Sequence, residues 1–154
     1  IRRLKLKNVY QYKKIVTIVL VSFLVCISML RTAEAGIGTI TKPDLSGNWQ
    51  MTLGGVTGCG SSTMLVNFTL NTSGVANNAT IKMHGQCGDS TVTGQKFQIL
   101  TLNANGSGTA NLSCGTGCGW NLNIQVSPDR GIFNVIDVDP VNPGNFIHGV
   151  AIHQ

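Results

Sequence analysis

The sequence predicts an all-β chain: an eight-stranded antiparallel meander β-barrel behind an N-terminal signal helix. Three observations carry this reading. Past the first 35 residues, apolar and polar side chains alternate in short runs. Turn formers arrive at intervals of roughly eight to twelve residues, the spacing of sandwiches and barrels. No stretch of that part repeats its apolar residues with the helical period, so nothing in it competes as an amphipathic helix.

The first 35 residues read as an export signal. Arg2, Arg3, Lys5, Lys7, Lys13 and Lys14 form a positive opening, and residues 15–30 are apolar except for Thr17, Ser22 and Ser28. Ala33-Glu34-Ala35 then offers small residues at the −3 and −1 positions, the secretory pattern, with cleavage expected after Ala35. As a helix, sixteen residues span roughly 24 Å, short of a bilayer core of about 30 Å, so a cleaved signal is favoured over an anchor. The chain therefore divides into 1–35, signal peptide; 36–43, a flexible N-terminal arm; and 44–154, the barrel domain. The export machinery is the one partner that the leader names, and the expected location is secreted or periplasmic.

Charge belongs to the leader. Of the eleven Lys and Arg residues, seven lie in the first 31 positions. From Gly36 onward, Lys42, Lys82, Lys96 and Arg130 stand against Asp44, Asp89, Asp129, Asp137 and Asp139, a net charge of −1. A nucleic-acid binder needs a basic face on its folded part, and this chain has none.

The strands follow in order. Trp49, Met51 and Leu53 alternate with Asn48, Gln50 and Thr52; Met64, Val66, Phe68 and Leu70 form the second inward row. Ala79, Ile81 and Met83 are the third, with Thr80, Lys82 and His84 facing away. Phe97, Ile99 and Thr101 are the fourth, blurred by Leu100 and Leu102. Ala110 and Leu112 are the fifth, and Trp120, Leu122, Ile124 and Val126 the cleanest, alternating with Asn121, Asn123 and Gln125. Residues 132–138 and 146–152 complete the eight, the former of ambiguous phase. A barrel of that count has an interior that side chains just fill, or that leaves room for one small ligand.

Cysteine use agrees with export. Setting aside Cys26, the even set Cys59, Cys87, Cys114 and Cys118 reads as two disulfides in a small exported domain. The C-x3-C spacing fits neither a zinc ribbon nor a C-x-x-C redox motif, so no metal is expected. The short loop after Cys114 sets it opposite Cys118, with Leu112 facing Trp120 and Ala110 facing Leu122. A two-residue turn at Asn105-Gly106 sets Ile99 opposite Leu112 and Thr101 opposite Ala110. Matching Met64 to Met83 and Val66 to Ile81 leaves Cys59 and Cys87 one residue out of step, which a bulge among Gly58, Gly60 and Ser61 absorbs. Cys59–Cys87 closes the longer loop and is expected to stabilise by on the order of 3 kcal/mol through the unfolded state.

The run Asp44-Leu45-Ser46-Gly47-Asn48-Trp49-Gln50 resembles the G-x-W opening of calycin-type barrels, the lipocalin and avidin-like proteins. That resemblance implies a Trp on the first strand plugging one end of the barrel. The remainder of the chain is similar to uncharacterised exported bacterial β-proteins. No side chains match the polar biotin-binding set of avidins. The same opening is similar to the start of small periplasmic metalloprotease inhibitors, whose inhibitory arm maps onto residues 36–43.

Chemistry-bearing residues are sparse. By strand parity His148 and His153 point to opposite faces, and His84 stands apart from both. Asp137, Asp139, Asn142 and Asn145 gather oxygens before the last strand without the EF-hand spacing. No nucleophile elbow, zincin or phosphate-loop motif occurs. The outward rows of Asn, Gln, Thr and Lys, with no aromatic girdle, are wrong for a barrel facing lipid. The expectation is a non-enzymatic, cofactor-free exported protein. It binds a small hydrophobic ligand in a lumen lined by Trp49, Met51, Phe68, Met83, Phe97, Trp120 and Leu122. The alternative is a barrel whose partner is a secreted protein, as a protease inhibitor or cell-surface module.

Overall fold

The computed structural model describes residues 38–115, 118–138 and 146–154. The expected signal helix and the 139–145 part of the acidic loop lie outside the described residues. Eight strands follow one another: β1 (Gly47–Thr57), β2 (Gly60–Leu70), β3 (Val75–Gly85), β4 (Gly88–Leu102), β5 (Ser107–Gly115), β6 (Cys118–Val126), β7 (Ile132–Asp137) and β8 (Phe146–His153). Each pairs antiparallel with the next, and β8 pairs with β1 to close the barrel. The unit so closed runs Gly38–Gln154. Among the described residues there is no α-helix, only a 3-10 turn at Lys42–Leu45 ahead of β1.

Alternation decides which face is inside. β6 carries Trp120, Leu122, Ile124 and Val126 inward and Asn121, Asn123 and Gln125 outward. Phe133 and Val135 settle the phase of β7, and Ile147 and Ala151 that of β8. The interior is one apolar cluster in which Trp49, Met51, Phe97, Ile99, Leu122 and Phe133 are each at most 1 % exposed.

Two expected registers hold. Met64 faces Met83 and Val66 faces Ile81; Leu112 faces Trp120 and Ala110 faces Leu122, although at the tip a register shift after Ser113 pairs Gly115, not Cys114, with Cys118. The β4–β5 register differs from expectation. Leu112 lies opposite Phe97, not Ile99, and Ala110 opposite Ile99, not Thr101. The turn is the cause. The Gly106 amide donates to Asn103 O and the Asn103 amide to Ser107 O, so the loop has three residues rather than two. Gly106 takes the positive φ of 84° that such a loop needs at its last position. A register shift between Ile99 and Thr101 then flips the phase. Thr101, expected inside, is exposed, and Leu102 packs against the core instead.

The bulge expected among Gly58, Gly60 and Ser61 is also absent. Thr57 pairs directly with Gly60, so Gly58 and Cys59 form the β1–β2 turn itself. Gly85 pairs with Gly88, which puts Cys87 in the β3–β4 turn. The two cysteines were out of step because neither lies on the ladder.

Candidate functional site

Meander topology sends alternate turns to opposite ends. The β2–β3, β4–β5 and β6–β7 turns meet at one end with residues 38–46; the β1–β2, β3–β4 and β5–β6 turns meet at the other. The two ends are built differently.

The first end is plugged. Trp49, 1 % exposed, sits on β1 with its ring 4.7 Å from Phe133 and 4.9 Å from His153. Ile40 and Leu45 are buried above it, and the Ile40 amide donates to Ala104 O. Lys42 reaches across to Leu100 O. Of the 36–43 arm, Ile40 and Lys42 thus make contact with the barrel; residues 36 and 37 lie outside the described residues. Asp44 accepts from the backbone N–H and hydroxyl of Thr41, and Arg130 stands 3.6 Å away. The Thr41 hydroxyl chiefly, with its amide and the Arg130 charge, holds the Asp44 carboxyl below the usual carboxylate range.

The second end is stapled and, among the described residues, holds a cavity. Cys59–Cys87 joins the tips of the first and second hairpins, with Cα atoms 5.4 Å apart. Cys114–Cys118 clamps the tip of the third, at 5.1 Å. Both expected pairings are present, and both lie at this mouth. Tying turn to turn fixes the rim where no strand ladder holds it.

Between the staples lies a cavity of about 330 Å³. Ile81, Met83, Val92 and Trp120 make its apolar wall; Thr57, Ser90, Gly58 and Gly119 stand around it, and Cys59, Cys114 and Cys118 bring sulfur to the rim. No charged side chain lines it among the described residues. At about 30 Å³ per water molecule it holds roughly eleven waters' worth of volume. This is the small end of the range for ligand pockets. The Thr57 hydroxyl is engaged by Ser62 at 2.9 Å and by the Cys59 amide at 3.2 Å, so it braces the wall.

Of the seven expected lumen residues, Met83 and Trp120 line this cavity. Trp49, Met51, Phe68, Phe97 and Leu122 are packed in the core, none more than 4 % exposed. Parity along a strand says which side chains point inward. It does not say at which height the interior stops being filled. Val92 and Ser90 were missed because the β4 stretch before Gly94 lacks apolar alternation; Cys114 and Cys118, just before Trp120, were the available signal.

The histidines are dispersed. His84 Nδ1 pairs with Asp89 on the outer face of the β3–β4 hairpin. His148 stacks on Phe146 at 6.5 Å, also outside, and His153 lies against Trp49. Among the described residues no three His, Cys, Asp or Glu side chains come together as metal ligands.

The fold and the site define a class: a small closed antiparallel barrel, consistent with a calycin-like one, sealed at one end and bearing a disulfide-rimmed cup at the other. No family model matches the chain, and no curated protein is similar to it.

Proposed function

We propose that the protein is an exported, non-enzymatic binding barrel of calycin type, taking a small, uncharged, largely apolar ligand into the cup at its disulfide-bound end. The observation that carries this reading is the cavity itself: an apolar wall of Ile81, Met83, Val92 and Trp120, with hydroxyls and, among the described residues that line it, no charged side chain. A charged ligand entering there would lose its water without gaining a partner. The thioether of Met83 and the sulfurs at the rim favour a ring edge, since sulfur–aromatic contacts are attractive. Two disulfides fit an oxidising compartment, which supports the export reading of the leader. The reading as a protease inhibitor needs a free arm at 36–43; within it Ile40 is buried and its amide is bonded to Ala104 O, which weighs against that reading.

The test is fluorescence titration of a Trp49→Phe variant, which leaves Trp120 as the sole indole of the barrel. A panel of small neutral aromatic and alicyclic compounds is expected to include members that quench or shift its emission saturably. Replacing Val92 by Phe fills the cup without adding a second indole, and abolishes binding without lowering the melting temperature. No response from any compound overturns the proposal.

A further inference from the structure

The outer wall is as unusual as the cup. Among the described residues six large apolar side chains are exposed, and five of them lie on two adjacent strands or their ends. Ile132, Ile136 and Val138 are 40, 54 and 44 % exposed at β7; Phe146 and Ile152 are 50 and 48 % at β8. The sixth, Leu100, is on β4. Register aligns them into a stripe: Ile132 faces Ile152, Asn134 faces Val150, and Ile136 faces His148.

We infer that the outer face of β7–β8 is where a second copy of this chain docks, making a two-fold dimer through stacked sheet faces. A closed barrel has no free strand edge, so association by strand addition is barred and face-to-face packing remains. The stripe has the anatomy of a protein interface, an apolar centre between polar margins. On one side stand Asn123 and Gln125, beside Ile136 and Asn134. On the other stand Gln50 and Thr52, beside Ile152 and Val150.

The margins say what the partner is. Strands β1, β2, β5, β6 and β8 contain no Asp, Glu, Lys or Arg, and β7 has only Asp137, which shares the inward row with Phe133 and Val135. A surface without charge meets its own image with no like-charge repulsion, as an isologous contact requires. The barrel's net charge of −1 adds little long-range repulsion between copies. A membrane surface would call for Lys or Arg beside the apolar stripe, and none lies on β7, β8 or the neighbouring strands β6 and β1.

Area is consistent with a modest dimer. Taking about 200 Å² for a large apolar residue when fully exposed, the five leave roughly 450 Å² open, within the range of functional patches. A standard interface takes about 800 Å² per partner, and the margin residues supply the difference. In an antiparallel stack the central rows, Asn134 with Val150 and Ile136 with His148, meet their own counterparts near the axis.

Sedimentation velocity of the oxidised protein from about 1 to 200 µM tests this, since interfaces of this size reach micromolar affinity. The expected result is a reversible shift from monomer to dimer. The pair Ile136→Lys and Ile152→Lys raises the dissociation constant at least tenfold, whereas Leu100→Lys leaves it unchanged. Hydroxyl-radical footprinting of the unaltered chain needs no variant: Ile136, Phe146 and Ile152 gain protection at high concentration and Leu100 does not. A monomer throughout that range overturns the inference, as does a dimer indifferent to the paired substitution or protected at Leu100. Flotation of a monomeric protein with phosphatidylcholine vesicles also overturns it, in favour of lipid.

Discussion

The indole Nε1 of Trp49 donates a hydrogen bond to the carbonyl oxygen of Leu45 at 2.8 Å. This one bond ties the first wall strand to the 3-10 turn that plugs the barrel, and it is buried. Replacing Trp49 by Phe keeps most of the packing on Phe133 but leaves the Leu45 carbonyl without this donor, at a cost of about 1–3 kcal/mol. Trp49→Ala also empties the plug and costs about 3–5 kcal/mol. Urea unfolding followed by far-UV circular dichroism is expected to rank them in that order.

Asp44 makes the plug sensitive to acid. Its carboxyl is held below the usual range chiefly by the Thr41 hydroxyl, so the folded state binds its proton later than the unfolded chain does. The stability it contributes is present above the unfolded value, about 3.9, and is lost as pH falls through the lower folded value. Asp129 behaves alike, held down first by the Ser127 hydroxyl and then by the Gly131 amide. Asp44→Asn is expected to flatten the decline in stability below about pH 4. Unfolding midpoints measured between neutral and acid pH check the slope.

The seam between the first and last strands has no room for a side chain at Gly149. A Cβ there would lie 1.9 Å from Thr52 O. Because the obstacle is backbone, relief requires β1 and β8 to part, and Gly149→Ala is expected to cost about 3 kcal/mol. Hydrogen exchange should then speed up first at the amides of Met51, Leu53 and Ala151. Uniform exchange across all strands would count against a local seam defect.

The two disulfides differ in what they restrain. Cys59 and Cys87 are 28 residues apart, and removing the bridge by paired Ser substitution is expected to cost roughly 3–4 kcal/mol in the chain-entropy model. Cys114 and Cys118 are 4 apart, for which the model gives about 2 kcal/mol. Thermal melts of the two paired variants check the order. Losing either staple is also expected to weaken ligand uptake in the cup by more than the melts imply, since both stand at its rim.

Local rules made much of this protein legible. Alternation along β6 fixed its inward row because a strand's side chains have a period of two, whatever surrounds it. The register of β5 on β6 was legible along the strands from matching apolar rows, though at the tip Gly115 rather than Cys114 meets Cys118; that of β2 on β3 followed from matching apolar rows as well. The β4–β5 register did not follow, because Asn105-Gly106 suits both a two-residue and a three-residue loop, and the shift after Ile99 is marked only by the blurred alternation at Leu100 and Leu102.

The chain's own order of residues determined the strand count, the inward faces of β1, β2, β3 and β6 and the cysteine pairs, all consequences of periodicity and short-range spacing. Tertiary structure decided where β8 meets β1, that Trp49 and Ile40 seal one end while Met83 and Trp120 border a cavity at the other, and that Ile136 and Ile152 share one exposed stripe. Those outcomes depend on the relative height and twist of all eight strands at once, a sum over many small offsets that no single segment encodes.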